Sequence, residues 1–200
     1  MAMTGLEKRF VNRKQKAERN VGRIRRNLDK LNIEQIHDVL EIGCGIGSVS
    51  AYLAQTYSMQ VLGTDFDPEQ VKIAKELYPT SDHLQYKVED ASKLSFESSS
   101  FDLVVSQNTF HHIPNWRKAI GEVARVLRPN GYFLRFDLAF PKLIIRLFQP
   151  LTRNYALYTI DEIRYEFIQK NFETISAEKL LHGPFMHHNL VLQKRSKPSG

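Results

Sequence analysis

Residues 39–48 read VLEIGCGIGS, an apolar run that ends in an acid and passes into three glycines at alternate positions. The run Val39–Ile42 is typical of a central parallel strand that is buried on both faces. Because glycine has no Cβ, it permits a tight turn and lets a ligand approach the main chain. A helical pattern begins at Ser48, so the segment predicts a strand, a glycine turn and a helix N-terminus that can receive a ligand.

Apolar segments and helical patterns alternate along the rest of the chain, which indicates a parallel sheet covered on both faces. Five strands are predicted at residues 39–42, 60–64, 84–88, 101–106 and 132–138, with helices at 48–57, 68–77 and 115–127. A stop-and-turn signal, Arg128-Pro129-Asn130-Gly131, separates the last of these helices from its strand. After residue 139 the pattern changes to a helix between Pro141 and Pro150, a helix at 159–171 and two strands at 172–176 and 188–193.

The positive charge of the protein lies at its N-terminus. The 200 residues carry a net charge of +6, but residues 1–30 hold ten Lys and Arg against three acids, and the remaining residues hold 18 basic and 19 acidic residues. Leu6, Phe10, Ala17, Val21, Ile24, Leu28 and Leu31 form one apolar stripe on a predicted helix over 6–31. The stripe is expected to pack on the domain. The basic face of this helix is either solvated or holds a phosphate-bearing substrate, a nucleic acid or an anionic membrane surface.

Cellular location follows from what the sequence lacks. No run approaches the ~20 apolar residues of a membrane span, and no apolar stretch of a signal peptide follows the charged N-terminus. The single cysteine, Cys44, excludes an internal disulfide. These features predict a cytoplasmic protein.

The glycine loop differs from its nearest alternative, the dinucleotide fingerprint G-x-G-x-x-G, because its third glycine, Gly47, comes one residue early. Carboxylates end the next two predicted strands: Asp65, 20 residues after Gly45, and the pair Glu89-Asp90. Ligands of such sheets bind at the carboxyl edge, where Asp65 can accept hydrogen bonds from ribose hydroxyls and Asp90 from an exocyclic amine. We therefore expect a nucleoside-containing ligand at this edge.

Four segments, VLEIGCGIGSVS, VLGTDFDPEQV, KVEDASKLSFESSSFDLVVSQNTFHHI and EVARVLRPNGYFL, together resemble the class I S-adenosylmethionine-dependent methyltransferases, and more narrowly their small-molecule type 11 branch. The resemblance covers residues 38–138 in the order and spacing of the family. It implies a Rossmann-like, seven-stranded, mostly parallel sheet with helices on both faces, whose last strand is antiparallel. It also implies S-adenosyl-L-methionine as cofactor and S-adenosyl-L-homocysteine as product.

The same resemblance assigns roles to individual residues. It places Gly43, Cys44, Gly45 and Gly47 against the methionine part of the cofactor, Glu41 at its amino group, Asp65 at the ribose, Phe66 and Ala91 against the adenine, Asp90 at the adenine amine, and Gln107 near the sulfonium. His111 and His112 follow the fourth strand near the methyl group. Either one is a candidate to deprotonate or orient the acceptor, and the alternative is that they only line the pocket.

Other residue patterns narrow the chemistry. The three histidines His182, His187 and His188 have no supporting acid or cysteine, so no metal site is predicted. The proline-containing motif of exocyclic-amine methyltransferases is missing at Ser106–Thr109, and Cys44 belongs to the glycine loop rather than to a cytosine C5 site. Both observations disfavour nucleic acid as the substrate.

The acceptor must be covered by the parts of the chain that resemble the family least. We expect residues 1–31 to form a basic amphipathic lid over a methyltransferase domain at 32–200, with a second lid-like insertion at about 139–160. Phe140, Leu143, Ile144, Leu147, Phe148, Tyr155 and Tyr158 make the insertion apolar and aromatic. These residues favour a small, hydrophobic or lipid-like acceptor, whose anionic group Arg23, Arg25, Arg26 or Arg153 could meet. Contact with a membrane surface is also open.

Two alternative functions stay open at this point. The basic arm would suit an RNA or protein methyltransferase. The chain could also bind the cofactor without turning over.

Overall fold

Seven strands and six helices make up the computed structural model, which describes residues 5–148, 156–182 and 185–196. In chain order they are α1 (Gly5–Leu28), β1 (Asp38–Ile42), α2 (Ser48–Tyr57), β2 (Gln60–Asp65), α3 (Pro68–Leu77), β3 (Leu84–Val88), β4 (Phe101–Gln107), α4 (Trp116–Val126), β5 (Leu127–Leu138), α5 (Lys142–Phe148), α6 (Ile160–Gln169), β6 (Phe172–His182) and β7 (Phe185–Lys194). Short 3-10 turns cover Ile33–Gln35 and Phe110–His112.

The strands form one sheet in the order β3-β2-β1-β4-β5-β7-β6. The first five strands pair in parallel, whereas β7 runs antiparallel to both β5 and β6. The strands β2 and β3 lie on one side of β1, and β4 and the later strands lie on its other side. The carboxyl edge between β1 and β4 is therefore the topological switch point, at which such sheets bind ligands. The predicted fold class and the antiparallel last strand are confirmed.

Hydrophobic packing covers both faces of the sheet, because apolar residues at successive positions of the central strands, such as Val39 and Leu40 on β1, are buried on opposite faces. On β1, Val39 packs with α1, α2 and α3, while Leu40 packs with α4 and α6. Both side chains are fully buried. A continuous apolar run therefore marks a strand with helices on each side, as predicted.

Helix α1 is an integral part of this packing. Its Ile24 and Leu28 are each 1% exposed and belong to the core on the α2 side of the sheet. Next to them the buried amides of Asn27 and Asn189 exchange two hydrogen bonds, of 2.9 and 2.8 Å, which join α1 to β7. The predicted apolar stripe is confirmed at Ile24 and Leu28, although the helix ends at Leu28 rather than at residue 31. The side chains of Leu6 and Phe10 lie outside the described residues.

The prediction for the start of β5 is wrong. The strand begins at Leu127, not at residue 132, and the turn signal becomes a bulge within it: Phe101 pairs with Leu127, but Leu103 pairs with Tyr132. Asn130 has a φ of +65° in this bulge, and a proline is tolerated there because a bulge leaves ladder positions unpaired.

The two C-terminal strands are longer than predicted, because polar positions such as Glu178 and Lys179 pair within the hairpin without an apolar alternation to mark them. The predicted helix after Pro141 is present as α5, and Leu143 on it is 66% exposed. Gln149, Pro150, Arg153 and Tyr155, which the sequence placed in the lid-like insertion, lie outside the described residues. Within the described part of the chain, no helix is long and apolar enough to cross a membrane.

Candidate active site

The glycine loop connects β1 to α2 at the switch point. Gly43, Gly45 and Gly47 all have positive φ, of +72°, +53° and +80°, a conformation that side-chain-bearing residues rarely adopt. The amide of Cys44 donates to the carbonyl of Thr64 on β2, which fixes the loop against the neighbouring strand at 2.8 Å. The strand, turn and helix predicted from residues 39–48 are therefore present.

The loop glycines differ in what surrounds them. A Cβ on Gly43 would clash with the side chain of Thr109, and one on Gly47 would lie 2.6 Å from the hydroxyl oxygen of Tyr86. A Cβ on Gly45 would meet nothing closer than the Gln70 side chain at 3.9 Å. Gly43 and Gly47 are thus required by protein packing, whereas the space in front of Gly45 is open to a ligand.

A cavity of about 790 Å³ opens in front of this loop, along the carboxyl ends of β1, β2 and β4. Most of the residues that the sequence assigned to the cofactor line it: Gly43, Cys44, Gly45, Asp65, Phe66, Asp90, Ala91 and Gln107. His112 lines it as well, whereas Glu41, Gly47 and His111 do not. Its size lies within the range of small-molecule sites.

Asp65 links the end of β2 to the glycine loop. One carboxylate oxygen accepts a hydrogen bond from the amide of Gly45 at 2.9 Å, and the other accepts from the amide of Asp67 at 3.0 Å. The next residue, Phe66, is 75% exposed. The carboxylate and an exposed aromatic ring therefore lie side by side at one rim of the cavity.

Asp90 forms a similar turn after β3. One of its oxygens accepts from both the amide and the hydroxyl of Ser92, each at 2.8 Å. The neighbouring Glu89 is held by Lys87 and Ser95. Burial would raise the pKa of Glu89, but these hydrogen bonds and the Lys87 charge outweigh burial and lower the pKa. The carboxyl group of Glu89 is therefore ionised at neutral pH.

Glu41 is enclosed by protein. Its side chain is 4% exposed, and it accepts a hydrogen bond from the hydroxyl of Ser50 on α2. Burial raises the pKa of Glu41 to about 8, against the lowering effect of Ser50. At neutral pH the carboxyl group is therefore largely neutral, and its predicted contact with the cofactor's amino group stays a prediction.

Helix α1 forms one side of the cavity. Arg23 donates a hydrogen bond to the side-chain oxygen of Gln107 at 2.6 Å, and Gln107 donates in turn to the carbonyl of Asn20 at 3.3 Å. The Arg23 guanidinium also stacks on the ring of Phe136, 3.3 Å from its centroid. The N-terminal helix and the end of β4 thus form one wall, a contact between residues 84 positions apart in sequence.

The two predicted catalytic histidines have different surroundings. His111 is hydrogen-bonded through Nδ1 to the carboxylate of Asp137 at the end of β5. Asp137 is fully buried and also accepts from the amides of Thr109, Phe110 and Leu138, at 3.0, 2.6 and 2.7 Å. Burial would raise the pKa of Asp137, but the hydrogen bond from His111 and the charge of Arg135 lower it overall.

The ring of His112 lies 3.9 Å from that of His111, centroid to centroid. Burial, followed by the electrostatic effect of the neighbouring His111, lowers the pKa of His112. His112 therefore presents a neutral imidazole to the cavity at neutral pH.

The sequence reasoning missed Asp137. The signal available was an acid two residues after Arg135 within the strand 132–138, whose other residues are apolar or aromatic. A charged residue at such a position is buried only with a partner. Among the C-terminal histidines, His187 stacks on Phe136 and His188 pairs across the ladder with Asp137. Within the described residues, no group of three or more His, Cys, Asp or Glu is arranged to hold a metal ion.

Residues 40–135 match the model of a protein family described as a methyltransferase domain. Over 99 residues the chain is 40% identical to a 2-methyl-6-phytyl-1,4-hydroquinone methyltransferase of Synechocystis, a match that covers 50% of this chain and 31% of that protein. Over 113 residues it is 33% identical to a sterol 4-C-methyltransferase of Caenorhabditis elegans, covering 55% of this chain and 34% of that protein. The chain thus spans about a third of the length of these curated relatives.

Solved structures agree on the fold. A chain in the complex of the Haloferax volcanii Trm112 methyltransferase activator with a methyltransferase matches with a TM-score of 0.75 at 19% identity, covering 92% of this chain and 93% of the other. At that identity the likeness shows the fold alone.

Proposed function

We propose that this chain is a class I S-adenosylmethionine-dependent methyltransferase of the type 11 branch, which the match of its residues 40–135 to a methyltransferase-domain model supports. In this proposal it transfers a methyl group from S-adenosyl-L-methionine to a small-molecule acceptor. The observation that carries the proposal is the cavity at the switch point, which the glycine loop, Asp65 and Asp90 line together. The whole protein's activity and its acceptor are part of the proposal.

The residues of the cavity suit this cofactor. The open space in front of Gly45 allows a ligand to approach the main chain. We assign Asp65 to the ribose hydroxyls, Phe66 to the adenine, Ala91 to the edge of the adenine ring and Asp90 to the adenine amine. Gln107, tied to α1 through Arg23, is assigned to the end at which methyl transfer occurs. When bound, the cofactor supplies a methyl group on a positively charged sulfur, which is a good leaving group.

The chain's own contribution is then alignment and the exclusion of water, which can lower a barrier by several kcal/mol. Helix α1 covers the cavity with Lys16, Ala17 and Asn20. Because Arg23 anchors this helix to both Gln107 and Phe136, the cover is held at the end of β4.

Proton removal from an acceptor hydroxyl is assigned to His111. Its Nδ1 faces the Asp137 carboxylate, so a neutral His111 carries its proton on Nδ1 and leaves Nε2 free to accept one. Asp137 is a positioning residue, since it acts through His111 and is itself enclosed. His112 is assigned to the cavity wall beside the acceptor.

A hydrophobic or lipid-like acceptor is supported by two observations. The curated relatives include methyltransferases named for a phytyl hydroquinone and for sterols. The exposed apolar residues Leu143 and Ile144 of α5 also provide a surface beyond the end of β5 that an apolar molecule could cover.

The test has two steps. Isothermal titration with S-adenosyl-L-methionine and S-adenosyl-L-homocysteine measures cofactor binding, and an acceptor screen with labelled cofactor measures product formation. Hydroquinones and sterols form one arm of the screen, and RNA and basic proteins form another. Turnover on a small acceptor supports the proposal, and turnover on RNA or protein alone contradicts it. Binding without product from any acceptor would indicate a non-catalytic protein.

A further inference from the structure

A second, smaller cavity of about 290 Å³ lies beside the first, under α1. The two cavities share Lys16, Asn20, Asn108 and His112 in their linings, so they adjoin one another. The second cavity also reaches His111 and the wall formed by Phe136 and Leu138. An acceptor that occupies it would therefore lie next to both histidines.

The second cavity is strongly basic. Lys16, Arg19 and Arg23 line it from one face of α1, at positions i, i+3 and i+7. Of the described residues that line it, none carries a carboxylate. The carboxylate behind His111, Asp137, is already occupied by that histidine and by three backbone amides.

The charge of Arg23 is held in place by contacts with neutral side chains. The Arg23 guanidinium donates to the side chains of Gln107 and Asn20, which are neutral, and its Nε is buried without a partner among the described residues. Among those residues, neither Lys16 nor Arg19 forms an ion pair. Burial and then the charges of Arg26 and Arg19 lower the pKa of Arg23 to about 10, so it remains protonated at neutral pH. A fixed, partly buried cation with neutral partners favours an anionic ligand.

We propose that the acceptor is an acid: a small molecule whose carboxylate or phosphate group binds between Arg19 and Arg23 in the second cavity, while its methyl-accepting atom points past His111 and His112 into the first. This inference rests on the proposed function and narrows it to a substrate class. Phe136 and Leu138 form the apolar side of the cavity and contact the carbon frame of the molecule.

The test uses the full chain saturated with S-adenosyl-L-homocysteine and three matched probes: 4-hydroxybenzoate, phenyl phosphate and the neutral 4-hydroxybenzyl alcohol. Calorimetry should show that at least one anion binds about tenfold more tightly than the alcohol, which is the scale of one charged hydrogen bond. The stronger of the two anions identifies the carboxylate or the phosphate as the group recognised. Equal affinity for all three probes would overturn the proposal.

Variants locate the effect. Arg19→Glu should weaken binding of the anion about tenfold and leave binding of the alcohol unchanged. Arg25→Glu is the matched control, because Arg25 is exposed on the same helix, lines neither cavity and is not among the charges that act on Arg23. If both charge reversals weaken binding of the anion equally, the anion is attracted by the overall positive charge of the helix and the proposed site is refuted. Arg19→Gln replaces the reversal if Arg19→Glu does not fold.

The failure of this inference and that of the proposed function are distinguishable. Loss of S-adenosyl-L-homocysteine binding refutes the proposed function, and the anion titration can still be done on the unliganded chain. Cofactor binding with no preference for the anions refutes the acidic acceptor alone.

Discussion

The imidazole of His111 is hydrogen-bonded through Nδ1 to the fully buried carboxylate of Asp137. The other oxygen of that carboxylate accepts from the amides of Thr109 and Phe110. Asp137 therefore presents acceptors in both directions, and it requires His111 to donate from Nδ1. This relationship fixes the tautomer in which Nε2 can take a proton.

The first prediction tests this arrangement. In Asp137→Asn the amide oxygen is expected to keep the hydrogen bonds from the amides of Thr109 and Phe110, so the NH₂ group faces His111 and favours the opposite tautomer of its ring. The amide of Leu138 loses its acceptor in this variant. We expect kcat for an acceptor found in the screen to fall about 100-fold in this variant and also in His111→Gln, with the affinity for the cofactor unchanged in both. His83→Gln, at an exposed histidine on the opposite edge of the sheet, is the control. An unchanged kcat in Asp137→Asn, together with an unchanged pH profile, would show that His111 does not act as a base.

The second prediction concerns pH and Glu41. Its pKa is raised from 4.5 to about 8 in the folded protein, so the folded state binds more protons than the unfolded state between these values. The contribution of protonated Glu41 to the free energy of unfolding is full below the unfolded pKa and is lost as the pH rises towards 8. Glu41→Gln, which stays neutral, should gain stability relative to the wild type between pH 5 and pH 8, on the order of 4 kcal/mol.

Urea unfolding of both proteins across this pH range measures the difference. Comparison of the two curves cancels the titration of other groups. A difference that does not change with pH would mean that Glu41 is ionised in the folded protein.

The third prediction concerns the cofactor. Asp65→Ala removes a carboxylate that accepts from the amide of Gly45 and that we assign to the ribose. Affinity for S-adenosyl-L-homocysteine should fall by about 1–3 kcal/mol, the scale of a lost charged hydrogen bond. Asp82→Ala is the control, since Asp82 is exposed before β3, away from the cavity. Calorimetric affinity that is equal in the two variants would refute the assignment of Asp65.

The fourth prediction separates the loop glycines by what surrounds them. Gly43→Ala places a methyl group on the side chain of Thr109, whereas Gly45→Ala meets open space. Both substitutions place a side chain on a residue with positive φ, which lowers the free energy of unfolding by about 1–2 kcal/mol. Thr109→Ala should rescue part of the stability lost in Gly43→Ala and none of that lost in Gly45→Ala. Urea unfolding of the two double variants checks this, and additive losses in both would contradict it.

Local sequence predicted the fold well where one segment carries the whole signal. The apolar run Val39–Ile42 and the glycines after it specify a strand, a turn and a helix without reference to distant residues. Asp67 and Thr159 are the N-caps of α3 and α6, at the starts of helices that the sequence predicted, and Thr159 forms a capping box with Glu162. Boundaries were wrong where pairing with a distant strand decides them, as at Leu127 and in the polar hairpin of β6 and β7.

The sequence by itself determined the loop and the carboxylates that follow β2 and β3, because a parallel sheet places the ends of its strands at one edge. Only the tertiary structure decided that His111 meets Asp137 and that Arg23 meets Gln107, residues 26 and 84 positions apart. It also decided that Glu41 is enclosed with Ser50 rather than exposed in the cavity. These contacts depend on which helix or strand packs against which, and that packing arises from the burial of apolar surface across the whole chain.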